Sequence, residues 1–154
     1  MTGGTFTTTI NAKPEVVWAF VADLGTHASW SPKAYTVEWT KGEPNQVGST
    51  YHSIGWVPGD KNHANDGEIT ERVEPTRFAL RANDKEGVFT DEFDLKSVGD
   101  GATEVSFTLT FPKMRGVAAL LAPGAFSLVG KSDIRKRLEL LKGRPKRARD
   151  RAVE

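Results

Sequence analysis

A chain of 154 residues, 38% hydrophobic and 27% charged, is long and apolar enough to fold as one domain around its own core. Its scattered glycines and prolines exclude a collagen-like, coiled-coil or disordered chain, and the absence of cysteine excludes a disulfide framework, a thiolate zinc site and a cysteine nucleophile. The net charge of +1 is uneven: residues 131–154 hold ten of the 21 Lys and Arg and four of the 20 Asp and Glu, leaving residues 1–130 at −5.

The front of the chain alternates. Phe6, Thr8 and Ile10 fall on one face and Thr5, Thr7 and Thr9 on the other, which predicts a β-strand. Pro14 and Glu15 suit the first turn of a short helix whose apolar stripe is Val17, Phe20 and Val21, broken at Gly25. A second short turn leads to Trp30-Ser31-Pro32. Strand signals then continue to residue 112. Tyr35, Val37 and Trp39 alternate up to the turn at Lys41–Pro44, and Val47–Val57 is the next run. Ile69, Glu71 and Val73 alternate to the Pro75 turn, and Arg77–Arg81 places Phe78 and Leu80 together. Val88–Val98 and Thr103–Phe111 read as a hairpin around Gly99–Gly101. Phe126, Gly130, Ile134, Leu138 and Leu141 then make one apolar stripe on a long helix expected to end at Gly143. Gly116–Ala122 reads as a shorter helix before Pro123, and the uncharged segment Gly116–Gly130 is expected to pack as a core helix or, alternatively, to serve as a flexible lid over the cavity mouth. The basic segment 144–154 is expected to be a flexible tail. It is either a solvated end or a docking arm for membrane or nucleic acid.

The opening Met1–Phe6 lacks the basic and apolar regions of a signal peptide, and the longest uncharged run, Gly116–Gly130, is fifteen residues, short of a bilayer span. The expectation is a cytoplasmic protein without a transmembrane segment. His27, His52 and His63 have no ligand-like spacing, so no metal site is expected, and no phosphate loop or nucleophile elbow is present. No cofactor and no specific nucleic-acid partner are expected, and the oligomeric state is left open.

The order strand, two short helices, six strands, long helix carries local patterns at Ala12–Trp18, Asp23, Trp30–Pro32, Val47–Tyr51, Val73–Phe78, Gly101–Val105 and Leu138–Lys142. Over about residues 5 to 142 the chain resembles the START-like or Bet v 1-like superfamily, and within it the bacterial polyketide cyclase/dehydrase-like branch. The resemblance implies an α+β helix-grip domain over residues 1–143. A curved seven-stranded antiparallel sheet would surround the long C-terminal helix, with a hydrophobic cavity between them. Members of such families bind lipids, polyketides or other apolar molecules there, and a minority do chemistry.

The candidate lining follows from alternation and position. The aromatics Trp30, Tyr35, Trp39, Tyr51, Phe78, Phe89, Phe93, Phe107 and Phe126 either line a pocket or fill the core. Met114, just beyond the last strand, joins them. Gly130, inside the apolar stripe, either leaves room for a ligand or lets backbone pack closely. Glu71 beside Ile69 and Val73, and Asp91 beside Phe89 and Phe93, are carboxylates on an apolar face. There they act as general acid or base, unless a bulge or strand end turns them to water. In the third strand the resemblance favours Tyr51 and Ser53 inward. The opposite register would bring in His52 and Trp56. The expected function is binding of a hydrophobic small molecule. The alternative is a cyclase, aromatase or dehydratase drawing on Glu71, Asp91, Tyr51 or His52.

Overall fold

β1 (Thr2–Ile10) turns Phe6, Thr8 and Ile10 inward and leaves its intervening threonines exposed. On that outer face the hydroxyls of Thr5 and Thr108 meet at 2.9 Å and those of Thr7 and Ser106 at 3.3 Å, pairs that support the register with the last strand. Pro14 opens α1 (Pro14–Val21), which buries Val17, Trp18 and Val21. A 3-10 segment, Leu24–Trp30, follows. Its start is capped by the Asp23 carboxylate, which accepts the Gly25 amide at 3.0 Å.

The rest of the sheet is a meander of β2 (Tyr35–Lys41), β3 (Thr50–Val57), β4 (Asp60–Val73), β5 (Arg77–Asp84), β6 (Gly87–Val98) and β7 (Ala102–Met114). The strands lie in the order β1-β7-β6-β5-β4-β3-β2, every pair antiparallel, so the first two strands form the two edges. α2 (Gly116–Ala125) and α3 (Lys131–Val153) complete the chain. α3 buries Ile134, Leu138 and Leu141 against β1, α1 and the 3-10 segment. This is the α+β helix-grip-like architecture that the resemblance implied. The computed structural model describes residues 2–32, 35–57, 60–125 and 131–153. Phe126 and Gly130 lie outside the described residues.

Four element boundaries differ from the sequence reading. β3 begins at Thr50, because Gly48 takes a positive φ of 88° in the turn before it and Val47 is left 59% exposed. β4 begins at Asp60, within a stretch of poor strand formers held by pairing with β3 and, from Asn65 on, with β5 as well. α2 continues through Pro123 and leaves Val117, Leu120 and Leu121 exposed, so it is not a core helix. α3 does not stop at Gly143. That glycine does not adopt positive φ, Pro145 is buried, and the helix runs on to Val153 through residues of good helix propensity. The segment expected as a tail therefore continues the helix. No helix among the described residues is long and apolar enough to cross a membrane.

Candidate functional site

Between the inner face of the sheet and α3 lies a pocket of about 340 Å³. One wall is apolar: Leu80, Phe89, Phe107, Leu109 and Phe111 from β5, β6 and β7, with Ile134 from α3. The facing wall is polar. Ser53, Asn65 and Asp84 are successive cross-strand neighbours on β3, β4 and β5, and His63 stands one inward position before Asn65. His63 Nε2 donates to Asp84 Oδ2 at 2.8 Å, while Asp84 Oδ1 accepts the amides of Glu86 and Gly87 at 2.8 and 3.0 Å. One carboxylate thus holds both a pocket histidine and the β5–β6 turn.

The inner end is built around Arg137. It stands at the position i+3 from Ile134 and i−4 from Leu141, an inward slot of α3. Its guanidinium lies over the Trp30 ring at 4.6 Å and near Phe107 at 5.5 Å. Arg137 Nη2 donates to His27 Nδ1 at 2.9 Å, and His27 Nε2 lies 2.7 Å from the Val21 carbonyl. Since a guanidinium only donates, Nδ1 must accept, which puts the single ring proton on Nε2 and makes His27 neutral. Burial, followed by the charge of Arg137, lowers the His27 pKa well below the usual value.

Asp91 reaches the same end from β6. Its carboxylate is 13% exposed and its Oδ2 lies 3.9 Å from Arg137 Nη1, beyond hydrogen-bond reach. Burial raises its pKa to about 6, with Arg137 opposing the rise. Burial also pushes the Tyr35 hydroxyl up to about 12 and raises that of Tyr51, so both stay protonated donors at neutral pH. Tyr51 fits because β4 has a glycine opposite it. A Cβ on Gly67 would collide with Tyr51 Cζ.

The structure brings Tyr35, Tyr51, Ser53, Phe89, Asp91 and Phe107 to the pocket wall. Trp30, Phe78 and Phe93 are fully buried instead, packed with His27 and one another behind the pocket. Trp39 packs on Tyr51 at 5.8 Å, and Met114, half-buried at the end of β7 opposite Gly87, does not line the pocket. Glu71 is turned out by a register shift after Ile69 and accepts from Arg77 Nε at 2.7 Å on the outer face. His52 is also outside, 2.8 Å from Asp66. Trp56 nevertheless reaches the pocket, because the β3 register breaks between Gly55 and Val57.

Arg137, His27, His63, Asn65 and Asp84 escaped the sequence reading. The available signal for Arg137 was a charge occupying an apolar slot of the last helix. For His63 and Asn65 it was polar residues at alternate positions leading into Ile69. Among the described residues no cluster of three or more His, Asp or Glu side chains is arranged to hold a metal ion.

Solved structures share this fold. The Zhui aromatase/cyclase from Streptomyces sp. R1128 superposes with a TM-score of 0.76 at 17% identity, covering 94% of this chain and 93% of that one. A conserved protein from Geobacillus kaustophilus gives 0.75 at 17% identity over 95% and 96% of the two chains. A protein from Thermus thermophilus gives 0.74 at 17% identity over 95% and 98%. At such identities the likeness is one of fold. No curated protein matches the sequence. The model of the family described as polyketide cyclase / dehydrase and lipid transport matches residues 1–144, nearly the whole chain, and the chain belongs to that family.

Proposed function

We propose that this protein binds a hydrophobic small molecule, of lipid, polyketide or isoprenoid-like character, in the pocket between the sheet and α3. The observation that carries the reading is the two-sided lining. An apolar wall of Phe89, Phe107, Leu109 and Phe111 faces a strip of Ser53, Asn65 and Asp84, which suits an apolar body with a few polar groups along one edge. Native mass spectrometry of gently purified protein, followed by organic extraction, tests it. A near-stoichiometric mass addition is expected, and Leu109→Trp, which fills the pocket, should lose it. An addition that survives this substitution would place the ligand elsewhere.

A second reading, a cyclase-type enzyme, is favoured by Asp91. A carboxyl titrating near pH 6 in an apolar pocket can take and return a proton at neutral pH, and Arg137 beside it can stabilise an enolate oxygen. On this reading Asp91→Asn lowers turnover of a poly-β-ketone thioester by about 10²-fold or more. Unchanged turnover in that variant would remove Asp91 from the chemistry.

A further inference from the structure

The chain neutralises one of its arginines fully and leaves another short of anions. On the outer face Arg77 donates to Glu71 at 2.7 Å, to Asp94 at 2.8 and 3.0 Å and to Glu92 at 3.1 Å. In the pocket Arg137 has no such partner. Its one neighbouring carboxylate among the described residues, Asp91, stops at 3.9 Å, and its Nε is buried without a hydrogen bond. Its remaining surroundings are neutral: His27, the Tyr35 hydroxyl, which also accepts a hydrogen bond from it, and the rings of Trp30, Phe93 and Phe107. A guanidinium held between aromatic faces with an unfilled fork has unused capacity for two parallel hydrogen bonds to a carboxylate.

Resting on the pocket-binding reading above, we propose that the ligand carries a carboxylate on its apolar body and seats it against Arg137, displacing the weak approach of Asp91. The groups that face this spot are Arg137 from α3, His27 from the 3-10 segment, Tyr35 from β2, Tyr51 from β3 and Asp91 from β6. His27 is neutral and the two tyrosines keep their protons, so Asp91 is the group that answers a second anion. Unlike the part-exposed carboxylates around Arg77, two carboxylates crowded beside a single guanidinium in a buried pocket disfavour double ionisation. Asp91 therefore takes a proton from solvent as the ligand arrives, and its O–H can then donate to the incoming carboxylate. One proton is bound per ligand wherever Asp91 was ionised beforehand, so affinity for an acid falls as pH rises above the Asp91 pKa, by up to about tenfold per pH unit.

The test is calorimetric titration of the full chain with 2-naphthoate and with its methyl ester, at pH 5.5 and 7.5. The acid is expected to bind at least about tenfold tighter than the ester at pH 5.5, as a charge-assisted bidentate pair would give. Arg137→Met should abolish that preference for the acid over the ester. Asp91→Asn should remove the pH dependence of acid binding, and it keeps the proposal testable where Arg137→Met fails to fold. Equal binding of acid and ester would overturn the carboxylate inference and leave the apolar pocket standing. So would a preference that survives Arg137→Met, or a pH dependence that survives Asp91→Asn. Binding of neither compound would overturn the pocket reading and this inference together.

Discussion

Asp91 shows how one side chain reports its surroundings. Alternation with Phe89 and Phe93 marked it as a carboxylate on an apolar face, and the structure keeps it there, 13% exposed. Glu71 had the same pattern and ended outside, because the displaced register after Ile69 cannot be seen in the order of residue types. The pKa of Asp91 has a direct consequence for stability. Between about pH 4 and pH 6 the folded protein holds a proton that the unfolded chain has released, so stability falls as pH rises through this window and levels off above it. The penalty present at neutral pH is about 2–3 kcal/mol. Asp91→Asn should therefore gain stability over the native chain by about that amount between pH 4 and pH 7.5. Urea denaturation at the two pH values measures it, and parallel stabilities would show that Asp91 titrates normally. Arg137 was invisible for a different reason. Ten cations crowd residues 131–154, and charge counting assigns them all to a solvated face unless each is placed on the helix wheel.

At the scale of elements, the strands legible in the sequence were those whose inward positions are apolar, such as β7 with Val105, Phe107 and Leu109. The first half of β4 was not legible, since Asp60–Glu68 carries Asn, His, Asp and Gly where a strand is usually β-branched. Its inward residues are His63, Asn65 and Gly67, of which the first two line the pocket and the third makes room for Tyr51. Local propensity was given up along this strand for a polar, open wall, and pairing with β3 and β5 restores the geometry. Gly67 makes the exchange measurable. Gly67→Ala improves intrinsic strand propensity, yet its Cβ has no space beside the Tyr51 ring. The expected result is a loss of about 1–3 kcal/mol, as for other overpacked sites. In a Tyr51→Ala background the same change should cost less, since the clashing ring is gone. Equal losses in both backgrounds, read from thermal or urea unfolding, would show that Tyr51 does not lie over Gly67. The helix ends were less legible than the strands. A glycine stops a helix only where it turns left-handed, and Gly143 does not.

For the whole molecule, the succession of elements and their periods were enough to fix the α+β class and the seven-stranded count. Partner assignment was beyond them, because the strand order depends on which edges meet after the chain has turned back. The sheet order carries a consequence for how the protein is made. Both edge strands, β1 and β2, come from the first 41 residues, and β1 has β7 as its sheet partner, with Thr5 opposite Thr108. During synthesis β1 therefore waits until more than a hundred residues have left the ribosome before it can pair. α1 waits with it, since its buried face rests on β6, β7 and α3. Pairings of such long sequence separation fold slowly, because loop closure precedes the contacts that reward it. β1 and α1 are therefore placed late, and until β6 and β7 have emerged the apolar face of residues 6–21 has no sheet to cover it, while β2 and β3 can pair as soon as they are made.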